Sequence, residues 1–280
     1  MSLGVKEEAS EGAPDTRIKH TFARLKGQGR KALISFITAG DPGPEFTVPG
    51  LHAMVAGGAD LLELGIPFSD PEAEGPTIQA ANERALAKGI TLKKVLAMVA
   101  EFRQQDTQTP VILMGYLNSI LAMADFAEQA SKAGVDGLIM VNLPPEEGHE
   151  LQTQLAANGI DLIYLIAPTT TDARATEIMR NASGFIYYVS LKGVTGTGSV
   201  LADEVGVRTS GLRAATQIPL CVGFGIRDAQ TASALSQHSD GVVVGSVLVE
   251  KLAAGGDPAT ACHALKDTIE SIRHGLDQQD

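Results

Sequence analysis

Several features that define other classes of protein are scarce in this sequence. Its 280 residues contain two cysteines, Cys221 and Cys262, which are too few for the disulfide framework of a secreted domain. Both are expected to be reduced and buried in a cytoplasmic protein. Apolar runs such as residues 241–249 fall far short of the ~20 residues that span a membrane. The composition therefore argues against a disulfide-rich secreted protein and against a membrane protein.

Positive charge is also scarce. The chain has 22 lysines and arginines against 33 aspartates and glutamates, a formal net charge of −11, and no basic stripe of the kind that binds nucleic acid. Any anionic ligand must therefore be held by a local site, against the net field. The histidines show no metal-ligand spacing, and no lysine lies within the apolar strands for a Schiff base. Neither a metal nor a cofactor is expected in this chain.

The rest of the composition is that of a folded domain. Hydrophobic residues make up 44% and charged residues 20% of the chain, which is enough apolar side chain for a sizeable core. Residues 1–15 are mostly small, polar and acidic and contain no apolar segment of a signal peptide, so we expect a disordered tail there. Residues 16–280 contain no linker and are predicted to form a single catalytic domain.

Short apolar runs alternate with helical patterns along this domain. Near-continuous apolar runs are typical of parallel strands that are buried on both faces. Helix signals lie between them, such as the C-terminal Gly134 and the capping residue Asp228. Eight strand–helix units predict an α/β fold, a (β/α)8 TIM barrel, with an open doubly wound sheet as the alternative. The predicted strands cover residues 32–38, 60–64, 110–114, 135–141, 161–166, 185–190, 218–223 and 240–245.

Glu63 interrupts one of these apolar strands. It is either an outward-facing or ion-paired residue, or a buried carboxylate that points into the mouth of the barrel. Burial would raise its pKa and suit it to general acid–base catalysis. The loop that follows carries three more carboxylates, Asp70, Glu72 and Glu74. Most loop carboxylates are solvated, but one of these can turn back toward Glu63 and form a pair in different environments.

Glycines cluster after the last three predicted strands, at residues 193–198, 223–225 and 245. Glycine lets backbone N–H groups approach an anion, and TIM barrels commonly bind phosphate at the loops after strands seven and eight. Turns also require glycine, so each group alone is weak evidence. Three groups at one corner of a barrel predict a ligand that carries phosphate.

Two strands carry aromatic residues that can reach the interior. Tyr187 and Tyr188 are adjacent, so one faces the interior of the barrel and the other faces the helices. The inward tyrosine and Phe36 either line a pocket or pack in the core. The residues alone thus predict a cytoplasmic barrel enzyme that acts on a small phosphorylated substrate by carboxylate acid–base chemistry.

The chain contains the motifs Phe36-Ile-Thr-Ala-Gly-Asp-Pro42, Leu62-Glu-Leu-Gly-Ile-Pro-Phe-Ser-Asp-Pro71 and Tyr188-Val-Ser-Leu-Lys-Gly-Val-Thr-Gly196, with shorter segments at 75–79, 113–118, 223–226 and 245–246. These motifs resemble those of the tryptophan synthase alpha subunit family. The similarity extends over roughly residues 16–272. It implies a (β/α)8 barrel and a lyase of tryptophan biosynthesis that splits indole-3-glycerol phosphate into indole and glyceraldehyde 3-phosphate by a retro-aldol reaction. It also implies an alpha2beta2 tetramer in which indole passes to a beta subunit that binds pyridoxal phosphate.

The resemblance also implies roles for individual residues. Glu63 matches the family's general acid and base, and Asp70 and Pro71 match the loop that meets the beta subunit. The residues implied in binding the substrate and its phosphate are Phe36, Tyr116, Tyr187, Thr195, Gly196, Gly225, Gly245 and Ser246.

Two departures from the family pattern bear on activity. Glu74 stands where the family has a catalytic aspartate that stabilises positive charge on the indole nitrogen, and one extra methylene can misplace a carboxylate by on the order of 1 Å. Asn142 stands where the family also has aspartate. We therefore predict an active alpha subunit, with two alternatives. One is an impaired homologue that binds ligand or beta subunit without efficient turnover, and the other is a stand-alone indole-releasing lyase.

Overall fold

Eight parallel strands close into a barrel. The computed structural model describes residues 15–189, 198–223 and 225–278. Each strand pairs with the next along the chain, and the last pairs with the first through Gly241 and Ala32, which closes the sheet. The TIM-barrel prediction is confirmed and the open-sheet alternative is wrong. The strands are β1 (Ala32–Thr38), β2 (Leu61–Gly65), β3 (Val111–Gly115), β4 (Gly137–Met140), β5 (Asp161–Ile166), β6 (Ile186–Val189), β7 (Leu220–Gly223) and β8 (Gly241–Val244).

Helices surround the barrel and connect its strands. Thr16 and Asp228 cap two of them by accepting a hydrogen bond from a backbone N–H three residues further on. Gly134, with φ of 91°, ends a third, as predicted. The helices are α1 (Arg17–Gly27), α2 (Pro44–Ala56), α3 (Pro76–Ala87), α4 (Leu92–Phe102), α5 (Leu117–Leu121), α6 (Phe126–Ala133), α7 (His149–Ala157), α8 (Asp172–Asn181), α9 (Gly198–Ala215), α10 (Ala229–Ser236), α11 (Ser246–Ala254) and α12 (Pro258–Asp277).

The strands divide their side chains between two apolar layers. Residues such as Ile34, Ile112 and Cys221 fill the interior of the barrel. Their neighbours on the same strands pack outward beneath the helices, because successive side chains of a strand point to opposite faces. Tyr187 belongs to the inner layer and Tyr188 to the outer one.

Aspartates hold the amino ends of three strands. Each precedes a strand and accepts a hydrogen bond from the backbone N–H of the strand before it, and each pairs with an arginine that lies in an outer helix or directly after one. In TIM barrels this end of the sheet serves stability, whereas function lies at the carboxyl ends. The bonds join Asp60 to Leu33 (3.0 Å) and Arg273 (3.1 Å), Asp136 to Val111 (2.8 Å) and Arg103 (2.6 Å), and Asp240 to Leu220 (2.9 Å) and Arg213 (2.8 Å).

Across residues 15–278, wherever the structure describes them, no helix is long and apolar enough to cross a membrane, and no three His, Cys, Asp or Glu side chains are grouped to hold a metal ion. Cys221 is free and buried as expected. The predicted burial of Cys262 is wrong, because it lies beside the buried stripe of α12 and is half-buried. The predicted tail, apart from Asp15, lies outside the described residues.

Candidate active site

Glu63 lies in the middle of β2 with its side chain inside the barrel. In the strand register it stands beside Phe36 of β1 and Ile112 of β3, and it is 1% exposed. Among the described residues its Oε2 atom has no hydrogen-bond partner. Burial, followed by the charge of Glu74, raises its pKa to about 8. Glu63 is therefore a buried carboxylate, as the second interpretation predicted. It is not ion-paired with any described residue, as the first would require.

Glu74 lies in the loop between β2 and α3 and is half-buried. Its backbone N–H donates to the carbonyl of Pro71 (3.0 Å), and its own carbonyl accepts a hydrogen bond from Gln79 Nε2 (2.9 Å). Burial raises the pKa of its carboxyl to about 7. Since its charge contributes to the raised pKa of Glu63, Glu74 is the loop carboxylate that acts on Glu63. The other two carboxylates of the loop are exposed.

Tyr116 supports the same loop from the end of β3. Its ring stacks on Phe68, with 4.7 Å between ring centroids and 17° between ring planes. Its hydroxyl accepts a hydrogen bond from the backbone N–H of Ala73 at 3.3 Å. Tyr116 thus holds the residue directly before Glu74.

A small cavity of about 10 Å³ lies at the carboxyl ends of β1, β2 and β3. It brings together three predicted site residues, Glu74, Phe36 and Tyr116. Thr38 and Met114 also line it, and neither was among the site residues predicted from the sequence. The position of Thr38 could have been predicted from the sequence, because it follows Phe36 by two residues and so shares its strand face. The lining comprises Phe36, Thr38, Gly65, Ile66, Glu74, Ile78, Asn82, Met114, Gly115 and Tyr116.

Strand-end glycines make room for two aromatic rings. A Cβ atom on Gly65 would lie 2.8 Å from the ring of Phe36, and one on Gly223 would lie 2.6 Å from the ring of Tyr187. On Gly245 the added atom would be 3.4 Å from Phe36, an ordinary contact. Packing therefore requires glycine at the first two positions. Phe36 and Tyr187 both face the interior, and burial raises the pKa of Tyr187 well above its usual value.

The predicted phosphate corner is partly described. Gly225 follows β7 with φ of +62°, a left-handed conformation that favours glycine. Gly245 and Ser246 follow β8 directly and begin α11. Because β7 and β8 are paired, these three residues lie at the same end of adjacent strands. Thr195 and Gly196 lie outside the described residues.

Three further residues singled out in the sequence lie at or near the surface. Asp70 is exposed and Pro71 is half-buried in the loop that carries Glu74. Asn142, in the loop after β4, is exposed, and its Oδ1 atom accepts a hydrogen bond from the backbone N–H of Leu117 at 2.9 Å. Asn142 therefore supports the start of α5 with an uncharged hydrogen bond.

The chain is similar to known proteins over most of its length. The family model described as tryptophan synthase alpha chain matches residues 22–276. The tryptophan synthase alpha chain of Azoarcus sp. (strain BH72) is 53% identical over 264 residues, which cover 94% of this chain and 97% of that protein. The one from Thioalkalivibrio sulfidiphilus is 51% identical over 265 residues, which cover 94% and 100%.

Solved structures give the same result. The crystal structure of the tryptophan synthase alpha chain from Legionella pneumophila has a TM-score of 0.85 at 44% identity, covering 94% of this chain and 97% of that one. A chain of tryptophan synthase from M. tuberculosis, in an aminoacrylate-bound form, has a TM-score of 0.83 at 29% identity, covering 93% and 99%. The matched region includes the strand and loop that carry Glu63 and Glu74.

Proposed function

This chain belongs to the tryptophan synthase alpha chain family, and from this premise we propose that it splits indole-3-glycerol phosphate into indole and glyceraldehyde 3-phosphate, with Glu63 as general acid and base. The observation that supports this reaction is a pair of carboxyls, Glu63 buried and Glu74 half-buried, toward the functional end of the barrel. The pKa is about 8 for Glu63 and about 7 for Glu74. Carboxyls held in different environments can take different roles in one reaction.

In this proposal Glu63 moves the proton that the cleavage requires. With a pKa of about 8, its carboxyl is mostly protonated at pH 7 and can donate a proton to C3 of the indole ring. The carboxylate then accepts the proton of the glycerol hydroxyl. As that proton leaves, the bond between C3 and the glycerol chain breaks, its electrons return to the ring, and the hydroxyl carbon becomes an aldehyde. Glu63 ends the cycle protonated, as it began.

Glu74 stabilises charge in the same step. Protonation of C3 places positive charge on the indole nitrogen, and a carboxylate in the cavity lined by Phe36 and Tyr116 can stabilise that charge. With a pKa of about 7, roughly half of Glu74 is ionised at neutral pH. Its side chain is one methylene longer than the family's aspartate. We propose that Glu74 is a working but poorly placed substitute.

The test is indole release, measured with and without a beta subunit. Glu63→Gln should abolish release and preserve ligand binding, since it keeps the shape but exchanges no proton. Glu74→Asp should raise turnover by ~10-fold if ~1.4 kcal/mol of transition-state stabilisation is recovered. Glu72→Asp makes the same change on an exposed side chain of the loop and should leave turnover unchanged. A clear fall in turnover with Glu74→Asp would instead show that the site has adapted to glutamate.

The proposal extends to the phosphate of the substrate. Two adjacent strand ends and the start of α11 support binding at this corner, because glycine-rich ends and helix N-termini offer backbone donors to anions. The residues proposed to bind phosphate and neighbouring parts of the substrate are Tyr187, Thr195, Gly196, Gly225, Gly245 and Ser246.

The proposal also includes the beta subunit as partner. The exposure of Asp70 beside Pro71 supports a contact at this loop, and pyridoxal phosphate is then bound by the beta subunit rather than by this chain. Indole release that is equally fast without a beta subunit would favour the stand-alone lyase. Intact substrate binding without turnover, in both the wild type and the Glu74→Asp variant, would favour the impaired homologue.

A further inference from the structure

Thr38, the last residue of β1, carries a buried hydroxyl without a partner. The side chain is 1% exposed, and in the described part of the chain its Oγ1 atom makes no hydrogen bond. It shares its strand face with Phe36 and lines the same cavity as Glu74. A buried polar atom without a partner destabilises a folded protein. Its position at this cavity therefore indicates a partner in another state of the site.

Ser35 offers a comparison within the same strand. Its hydroxyl is also fully buried and without a partner among the described residues. Its place in the strand puts it on the opposite face, where Leu33 and Ile37 pack in the outer layer. Ser35 does not line the cavity. Removing either hydroxyl removes the same kind of unpartnered group, but only the hydroxyl of Thr38 belongs to a residue that lines the cavity with Glu74.

The Thr38 hydroxyl is a hydrogen-bond donor, which the carboxylate of Glu74 lacks among the described residues. Gln79 and Tyr116 hold the main chain of its loop, but no donor among the described residues bonds its carboxylate. Among the described residues, the titratable groups that act with it are Glu63 on β2, Tyr187 on β6 and Tyr116 after β3, and none of these is a cation. The additional methylene of glutamate also adds one free torsion to the side chain.

We propose that Thr38 is a positioning residue for Glu74, and that its hydroxyl donates a hydrogen bond to the Glu74 carboxylate when ligand fills the cavity. A hydrogen bond from a hydroxyl to a carboxylate is short and strong. It would restrain the torsion that the longer side chain adds, and so partly offset the poorer geometry of glutamate. The inference rests on the role proposed above for Glu74.

Three variants test it. Thr38→Val removes the hydroxyl and keeps the branched shape, Thr38→Ser keeps the hydroxyl, and Ser35→Ala is the matched control. Thr38→Val should lower kcat for indole release by about tenfold or more, with KM nearly unchanged. It should also move the acid limb of the kcat profile to higher pH, because ionised Glu74 loses a donor. Thr38→Ser should recover most of the activity, and Ser35→Ala should match the wild type. Neither Thr38→Val nor Ser35→Ala should lower the melting temperature, because each removes an unpartnered buried group.

Other results would overturn the proposal. These are a kcat for Thr38→Val equal to that of Ser35→Ala, a Thr38→Ser variant as slow as Thr38→Val, or a change in KM alone with an unshifted pH profile. If Thr38→Val does not fold, Thr38→Ala takes its place in each comparison.

A readout independent of turnover separates this inference from the proposed reaction. The pKa of Glu74 can be followed by carbon NMR of the labelled carboxyl, with indole and glycerol 3-phosphate added as probes. A higher pKa in Thr38→Val than in the wild type would support the hydrogen bond even if the wild type released no indole. An equal pKa would overturn the inference even if the wild type were fully active.

Discussion

Replacing Glu63 with glutamine should stabilise the protein at alkaline pH while it removes the proposed activity. The folded protein keeps the Glu63 proton up to about pH 8, whereas an unburied glutamate releases it near 4.5. Between these values the folded state binds more protons than the unfolded chain, so the stability of the wild type falls as the pH rises. The difference of ~3.5 in pKa corresponds to ~5 kcal/mol well above pH 8, and roughly 3–4 kcal/mol of this is lost between pH 5 and pH 8. Glutamine does not ionise and so escapes this loss.

The assay is thermal unfolding of both proteins across that pH range. Relative to Glu63→Gln, the melting temperature of the wild type should fall by roughly 5–10 °C from pH 5 to pH 8. Glu72→Gln, which changes an exposed carboxylate of the neighbouring loop, should show no such trend. A difference between wild type and Glu63→Gln that does not change with pH would refute the argument from burial. So would a wild type that gains stability relative to the variant as the pH rises.

Two further substitutions probe the opposite ends of the barrel. Gly223→Ala places a Cβ atom 2.6 Å from Tyr187, so it should raise KM for the substrate and lower the free energy of unfolding by ~1–3 kcal/mol through overpacking. Gly211→Ala, in open space on α9, should change neither quantity. Equal kinetics for the two variants would contradict the packing role of Gly223. Asp136→Asn removes the charge that faces Arg103 at the amino ends of the strands. It should lower the free energy of unfolding, measured with denaturant, by ~3 kcal/mol and leave KM unchanged. An altered KM with unaltered stability would contradict the assignment of stability to one end of the barrel and function to the other.

The barrel could be predicted because each strand is buried on both faces and so appears as an apolar run. The ends of the strands were less predictable. The run at 135–141 predicts a longer strand than the observed Gly137–Met140. Val135 is buried in the turn, and the side chain of Asp136 bonds the backbone of β3. An apolar residue packed in a turn and one paired in a strand have the same appearance in a sequence, because pairing depends on distant segments.

The roles of the glycines at the site also depend on contacts between distant segments, which a local sequence pattern does not show. The sequence pattern predicted that the glycines after strands six, seven and eight bind phosphate. The structure adds a packing role, since Gly65 and Gly223 make room for Phe36 and Tyr187. The partners in each pair lie far apart in the sequence and meet only when neighbouring strands align. The strand face of Thr38 could be predicted, but its place in the cavity could not, because the cavity is formed by three strands together.

The acidic residues at the two ends of the barrel differ in their hydrogen-bond and ion-pair partners. This difference distinguishes the residues that stabilise the fold from those proposed to act in the reaction. Asp60, Asp136 and Asp240 each accept a backbone N–H and pair with an arginine. Glu63 and Glu74, at the other end, share neither kind of partner within the described residues, and burial raises the pKa of both. An uncompensated buried carboxyl destabilises a fold more than one whose burial is offset by hydrogen bonds and an ion pair. A fold retains the destabilising kind where proton transfer or charge stabilisation requires it. The carboxyls that weaken this barrel are therefore the ones on which its proposed reaction depends.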